Sequence, residues 1–229
     1  MIKNPESKVF LGFNRSSSET FAELEKFILN ESGFITASCN MSVNKSLATK
    51  NMPDTDHAIL EHLCHFTDVM LRLVTLDRAF PCVITPAEIP VNISILKFSF
   101  SIVFADKSHV SFNYTEIPDF LEGMEEVIDL SKGNLIAKLS NFQELQIELP
   151  RKKVNKKTLY RDHGHKASIN NAFVSTTDNI GAGESIEHIE ATSKLYLKIV
   201  EAMSKMTSTE VVLDQGTRIQ LPNATLPTT

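Results

Sequence analysis

Cysteine is scarce, tryptophan is absent, and no long apolar run occurs in the 229 residues of this chain. The three cysteines, Cys39, Cys64 and Cys82, are odd in number and form no C-x-x-C pair. That pattern excludes a disulfide framework and a cysteine zinc site, and it predicts free, buried thiols in a reducing compartment. Nothing approaches the roughly eighteen apolar residues of a membrane-spanning helix. The start, Met1 to Lys8, is polar and holds no apolar core for a secretory signal. A cytoplasmic chain with no membrane insertion is expected. The Asn-x-Ser/Thr triplets at Asn14, Asn30, Asn40, Asn44, Asn92, Asn113 and Asn223 then read as composition and not as glycan acceptors. Catalytic signatures are missing too: there is no G-x-S-x-G, no Gly-Lys-Ser/Thr phosphate loop and no kinase set. These absences point away from an enzyme and imply no cofactor.

With 42% hydrophobic and 22% charged residues, what remains is an ordinary folded protein, long enough for one large domain or two small ones. Periodicity predicts a helix near 18–31, where Phe21, Leu24, Phe27 and Ile28 recur at three and four after a serine cap. The clearest helix is near 54–78. Pro53, Asp54, Thr55 and Asp56 open it, and Ile59, Leu60, Leu63, Phe66, Met70, Leu73 and Val74 make a wide apolar face. Further helices are predicted near 118–131 and 184–206, the latter with glutamates early and lysines late, as the helix dipole favours. Period-two alternation predicts strands near 91–104, 108–114, 135–139 and 144–149, and a further strand over 34–41. Residues 80–90, with three prolines, read as an irregular crossing, and 211–213 with 218–221 as a small terminal hairpin. The fold class is α+β, with a central, mostly antiparallel sheet packed by helices. Residues 1–149 form the core, 150–183 a basic and then polar loop, 184–221 a C-terminal helix and short hairpin on the same core, and 222–229 a frayed tail.

The densest signal is the segment from Arg151 to Lys166. Seven basic residues (Arg151, Lys152, Lys153, Lys156, Lys157, Arg161, Lys166) stand there against one acid, Asp162. The local charge is +6 in a chain of net −5, which leaves −11 for the remainder. Clustered cations bind phosphate backbones, and a tyrosine among them can stack on an unpaired base. The candidate site is therefore Arg151, Lys152, Lys153, Lys156, Lys157, Tyr160, Arg161, His163, His165 and Lys166. The expected partner is single-stranded nucleic acid, RNA ahead of DNA, and the expected protein is non-enzymatic. A solvated, mobile loop is the competing account of the same charge.

Two other readings stay open, and two further patterns have plainer explanations. One is a self-assembling structural protein of viral type, a homo-oligomer whose loop and tails order at subunit contacts. Another is a metal-dependent hydrolase at His163 and His165, although a spacing of two is a weak metal signal amid cations and no metal ligand is assigned. The stripe His57, Glu61, His65 and Asp68 on the long helix lacks H-E-x-x-H order and reads as a solvated face. Finally, Gly181 and Gly183 before the last helix lack the third glycine of a dinucleotide fingerprint and read as a linker.

Overall fold

The computed structural model describes residues 12–44, 55–87, 97–117, 123–161, 163–170 and 185–213. Its alternating segments form one sheet of nine strands among the described residues: β1 (Ile35–Asn44), β2 (Cys82–Pro86), β3 (Lys97–Val103), β4 (His109–Ile117), β5 (Met124–Lys132), β6 (Leu135–Ser140), β7 (Glu144–Leu149), β8 (Lys152–Lys157) and β9 (Thr209–Val211). They lie in the order β8-β7-β6-β5-β1-β4-β3-β2-β9. β1 and β4 run parallel at the centre, and every other pair is antiparallel. The α+β class stands, but the sheet is mixed where a mostly antiparallel one was expected. β2, β3 and β4 form a meander, and the long helical connection after β1 delivers that meander with β4 parallel to β1.

The helices are α1 (Glu19–Asn30), α2 (Thr55–Val74), the single turn α3 (Leu76–Ala79) and α4 (Ile186–Lys205). α1 starts where the Ser18 side chain accepts from the Phe21 N–H, with Glu19 in the first turn, and α4 starts where Ser185 accepts from His188 in the same way. The strands alternate so that Phe98, Phe100, Phe112 and Tyr114 point inward. Phe66 of α2 packs on them, its ring centre 5.0 Å from that of Phe112. Each aromatic side chain buried this way contributes about 1.5–3 kcal/mol. The outward positions Thr36, Asp129, Ser131, Lys138 and Gln146 are exposed. Cys39 and Cys82 are buried and free, and burial pushes both thiols up to about 12.

Three helices fall where periodicity placed them, near 18–31, 54–78 and 184–206. The helix expected over 118–131 does not form: 118–122 lie outside the described residues, and 124–132 are β5. There Glu126, Ile128, Leu130 and Lys132 alternate as buried positions, hydrogen-bonded to β1 on one side and β6 on the other. The apolar set Met124, Val127 and Ile128 suits either period, and sheet pairing decides it. The strand expected near 91–104 is described from Lys97, with 88–96 outside the described residues. The strand near 108–114 runs on to Ile117. Part of the proline-rich crossing is β2, and the basic loop contains β8. β9 pairs with β2, while 218–221 and the tail lie outside the described residues. No helix among the described residues is long and apolar enough to cross a membrane.

Candidate functional site

Four of the seven basic residues in the segment, Lys152, Lys153, Lys156 and Lys157, lie on an edge strand. β8 sets Lys153 opposite Glu148 and Lys157 opposite Glu144, and both pairs close as salt bridges, the first at 2.6 Å. Lys156 reaches Glu19 of α1 at 2.8 Å, and the Lys152 ammonium sits 5.1 Å from the centre of the Phe27 ring. Lysines on a sheet edge also discourage pairing with stray strands. Arg151, Lys166 and His165 are exposed, as is Tyr160, whose carbonyl accepts from the Thr158 hydroxyl. Asp162 lies outside the described residues. No group of three or more His, Cys, Asp or Glu is placed to hold a metal among the described residues.

Arg161 and His163 turn inward instead, to Glu126 on the covered face of β5. Arg15 Nε donates to Glu126 Oε1 at 2.5 Å and Arg161 Nη2 to Oε2 at 2.9 Å, while His163 Nδ1 lies 3.2 Å from Oε2. Burial pushes the Glu126 carboxyl up, but His163 and Arg15 outweigh it and hold the group down at about 2. Next to His163, Gly164 has φ of +83°, and a Cβ there would stand 1.8 Å from the Asn14 carbonyl oxygen. Only glycine fits that contact. The turn at Arg15–Ser17, β5 and the residues Arg161, His163 and Gly164 are thereby clasped together.

Asp68 of α2 anchors a second node. It is fully buried, its Oδ1 lies 2.7 Å from His188 Nε2 of α4, and Arg72 Nε donates to its two oxygens at 3.1 and 3.2 Å. Glu25 of α1 stands nearby, its carboxyl raised by burial. One turn back along α2, His65 is held neutral: burial, then Arg15 and His62, push it down to about 3. Phe13 meets its ring edge-on, 6.3 Å between centres.

Among the described residues several buried polar atoms have no hydrogen-bond partner, including Asn14 Oδ1, His65 Nδ1, Tyr114 Oη and Glu116 Oε1. Tyr114, Met41 and Glu126 form one cross-strand row on the covered face, and Glu116 lies in the next row but one along β4, beside Val43 and Met124. Tyr114 and Glu116 therefore lie at the end of the covered face that carries Glu126. Buried polar groups in folded proteins are almost always satisfied by protein, ordered water or a ligand, so these atoms are candidates for ligand contacts.

The sequence reading placed His65 and Asp68 on a solvated face, and the structure corrects it. From Leu63 to Val74, α2 buries Leu63, Phe66, Thr67, Asp68, Val69, Met70, Leu71, Leu73 and Val74. A helix apolar nearly all round is interior, and its few polar residues are then interior too; that signal was present. Arg15 and Glu126 gave none, because their meeting joins residues 111 apart.

No family model matches the chain, and no curated protein matches it. Solved structures do. The dehydrogenase MviM from Clostridium difficile aligns over 84% of this chain and 61% of its own length, at TM-score 0.58 and 16% identity. Levoglucosan dehydrogenase in complex with NADH and levoglucosan aligns over 88% and 66%, at 0.63 and 14%. The UDP-N-acetylglucosamine 3-dehydrogenase GnnA from Acidithiobacillus ferrooxidans aligns over 87% and 63%, at 0.66 and 9%. The chain thus spans about three fifths to two thirds of these proteins. This likeness overturns the expectation of a non-enzymatic nucleic-acid-binding or viral assembly protein, and Lys153, Lys156, Lys157 and Arg161 of the basic segment are paired with acids of the chain itself. At these identities the likeness establishes the fold, an α+β sheet unit that this chain shares with dehydrogenases.

Proposed function

We propose that the chain is the substrate-holding unit of a sugar dehydrogenase, with its site at the covered end of the sheet around His65, Tyr114 and Glu116. The observation that carries this reading is the group of buried polar atoms without partners there, in a fold shared with enzymes whose names specify sugars. A polyhydroxylated ligand offers both donors and acceptors, which is what a mixed set of amide, imidazole, phenol and carboxylate atoms requires. Neutral His65 can accept a hydrogen bond from a sugar hydroxyl. Asp68 and Glu126 touch no ligand in this account. They fix α2, α4 and the turn at Arg15 around it.

The residues present do not fit a nicotinamide dinucleotide. A dinucleotide fold needs a doubly wound parallel sheet whose first turn carries G-x-G-x-x-G. The described sheet has one parallel pair, and the sole G-x-G of the sequence, Gly181 and Gly183, is followed by Ile186 where the third glycine belongs. Any dinucleotide would be held by residues outside this sheet.

Calorimetric titration with levoglucosan and with UDP-N-acetylglucosamine tests the reading. Saturable binding of at least one, weakened ten-fold or more in His65→Asn, is expected. Failure of both sugars to bind the folded chain would refute it.

A further inference from the structure

Glu116 and Glu126 present a contrast that bears on which sugars the site accepts. Both are buried carboxylates on the covered face, at neighbouring ends of β4 and β5. Glu126 is surrounded by Arg15, Arg161 and His163. Glu116 is 5% exposed, takes part in no ion pair among the described residues, and its Oε1 has no hydrogen-bond donor. Two residues before it on the same face of β4, Tyr114 is 1% exposed and its hydroxyl likewise has no partner among the described residues. Burial and then the Glu116 charge push that phenol up to about 12, so it stays protonated and able to donate. Successive same-face positions on a strand lie roughly 7 Å apart. The two groups thus offer one acceptor-only and one donor–acceptor position within the span of a single pyranose ring.

A buried carboxylate with no donor is costly, and proteins keep such groups where a ligand completes them. Three kinds of partner could do so: a metal ion, a cationic ligand, or hydroxyl groups. No set of three or more ligating side chains gathers here among the described residues, which disfavours a metal. A cation would answer Glu116 but leave the Tyr114 hydroxyl and the neutral His65 imidazole without a matching function. Hydroxyls answer all three. An anionic group brought to the same place would meet the buried Glu116 charge in a medium that screens it poorly.

We infer that Glu116 and Tyr114 form a specificity pair that selects a neutral, polyhydroxylated ligand and rejects sugar acids. This rests on the sugar-binding reading above and narrows it. The ligand's hydroxyls donate to Glu116, and Tyr114 bonds a further ring oxygen. The orphaned charge is then part of the recognition, and its cost falls on the ligand-free protein.

Two measurements on the intact chain decide it. The first is calorimetric binding of levoglucosan and of glucuronate, a neutral and an anionic sugar, to wild type, Glu116→Gln, Tyr114→Phe and the surface control Lys153→Ala. Wild type is expected to favour levoglucosan by ten-fold or more. Glu116→Gln should narrow that preference to about three-fold or less. Tyr114→Phe should weaken levoglucosan about five- to ten-fold, the worth of one hydrogen bond. Lys153→Ala should leave both unchanged. The second is the melting temperature of the ligand-free variants, where Glu116→Gln should melt at or above wild type because it removes an unpaired buried charge. Levoglucosan binding with an unaltered preference in Glu116→Gln would overturn the inference while leaving the sugar-binding reading intact, as would a wild-type preference for glucuronate. A large fall in melting temperature for Glu116→Gln would show that the carboxylate is already paired, and would overturn it as well. If neither levoglucosan nor glucuronate binds wild type, the specificity inference falls, and if UDP-N-acetylglucosamine also fails to bind, the sugar-binding reading falls with it.

Discussion

Glu126→Gln isolates the role of the buried hub. The substitution preserves size and removes the charge that Arg15 and Arg161 face at 2.5 and 2.9 Å. Arg15 has a side chain 6% exposed, so its guanidinium would be left in the interior without a counter-ion. Arg161, at 28%, can be partly rescued by water. Removing one partner of a buried pair costs about 3–5 kcal/mol. In a chain of this length each kcal/mol moves the melting temperature by about 2–4 °C, so Glu126→Gln should melt roughly 6–20 °C lower. Urea unfolding of wild type, Glu126→Gln, Arg15→Met and the double variant gives the coupling directly. The double variant should cost at least about 1 kcal/mol less than the two singles together, because Met leaves no stranded charge. Additive costs, or a Glu126→Gln variant within about 0.5 kcal/mol of wild type, would refute the hub.

Other consequences are simpler to check. Gly164→Ala places a methyl group against the Asn14 carbonyl at a positive φ; urea unfolding should show a loss of at least about 2 kcal/mol. Lys153→Ala and Lys157→Ala each break a solvent-exposed cross-strand pair and should cost under about 1 kcal/mol by the same assay. Stability should also fall with acid in a defined window. The His65 imidazole is pushed from its ordinary 6.5 to about 3, so below pH 6.5 the unfolded chain takes up a proton that the folded chain refuses. Stability from this group is intact above pH 6.5 and is lost toward pH 3, about 2 kcal/mol of it by pH 5. The Glu126 carboxyl, lowered from 4.5 to about 2, adds a second loss that begins only below pH 4.5. His65→Asn should remove the first loss and leave the second, as followed by urea unfolding between pH 7 and 4.

Much of the architecture was legible because it rests on local period. Phe98, Phe100 and Phe112 alternate as a strand must, and Ile186 to Lys205 carries its cap and charge order in the sequence itself. What period could not decide was 124–132, whose apolar residues suit a helix as well as a strand until β1 and β6 pair with them. The parallel join of β1 to β4 has no local signature at all. The site was less legible still. Lys153 and Lys157 stood out by charge, yet their acids lie opposite them only once β7 and β8 are in register. In the sequence Glu126 falls within an expected helix and Glu116 just beyond an expected strand, and it is the pleat of the observed strands that turns both inward.

The most direct test of the central claim is the ring resonance of His65, followed by nuclear magnetic resonance with labelled imidazole nitrogens while levoglucosan and UDP-N-acetylglucosamine are titrated in. The account predicts a neutral imidazole from pH 8 down to at least pH 5, with ring signals that shift saturably as sugar binds. An imidazole that protonates near pH 6.5 and ignores both sugars, in a chain that binds a fluorescent oligonucleotide with steep salt dependence, would contradict it.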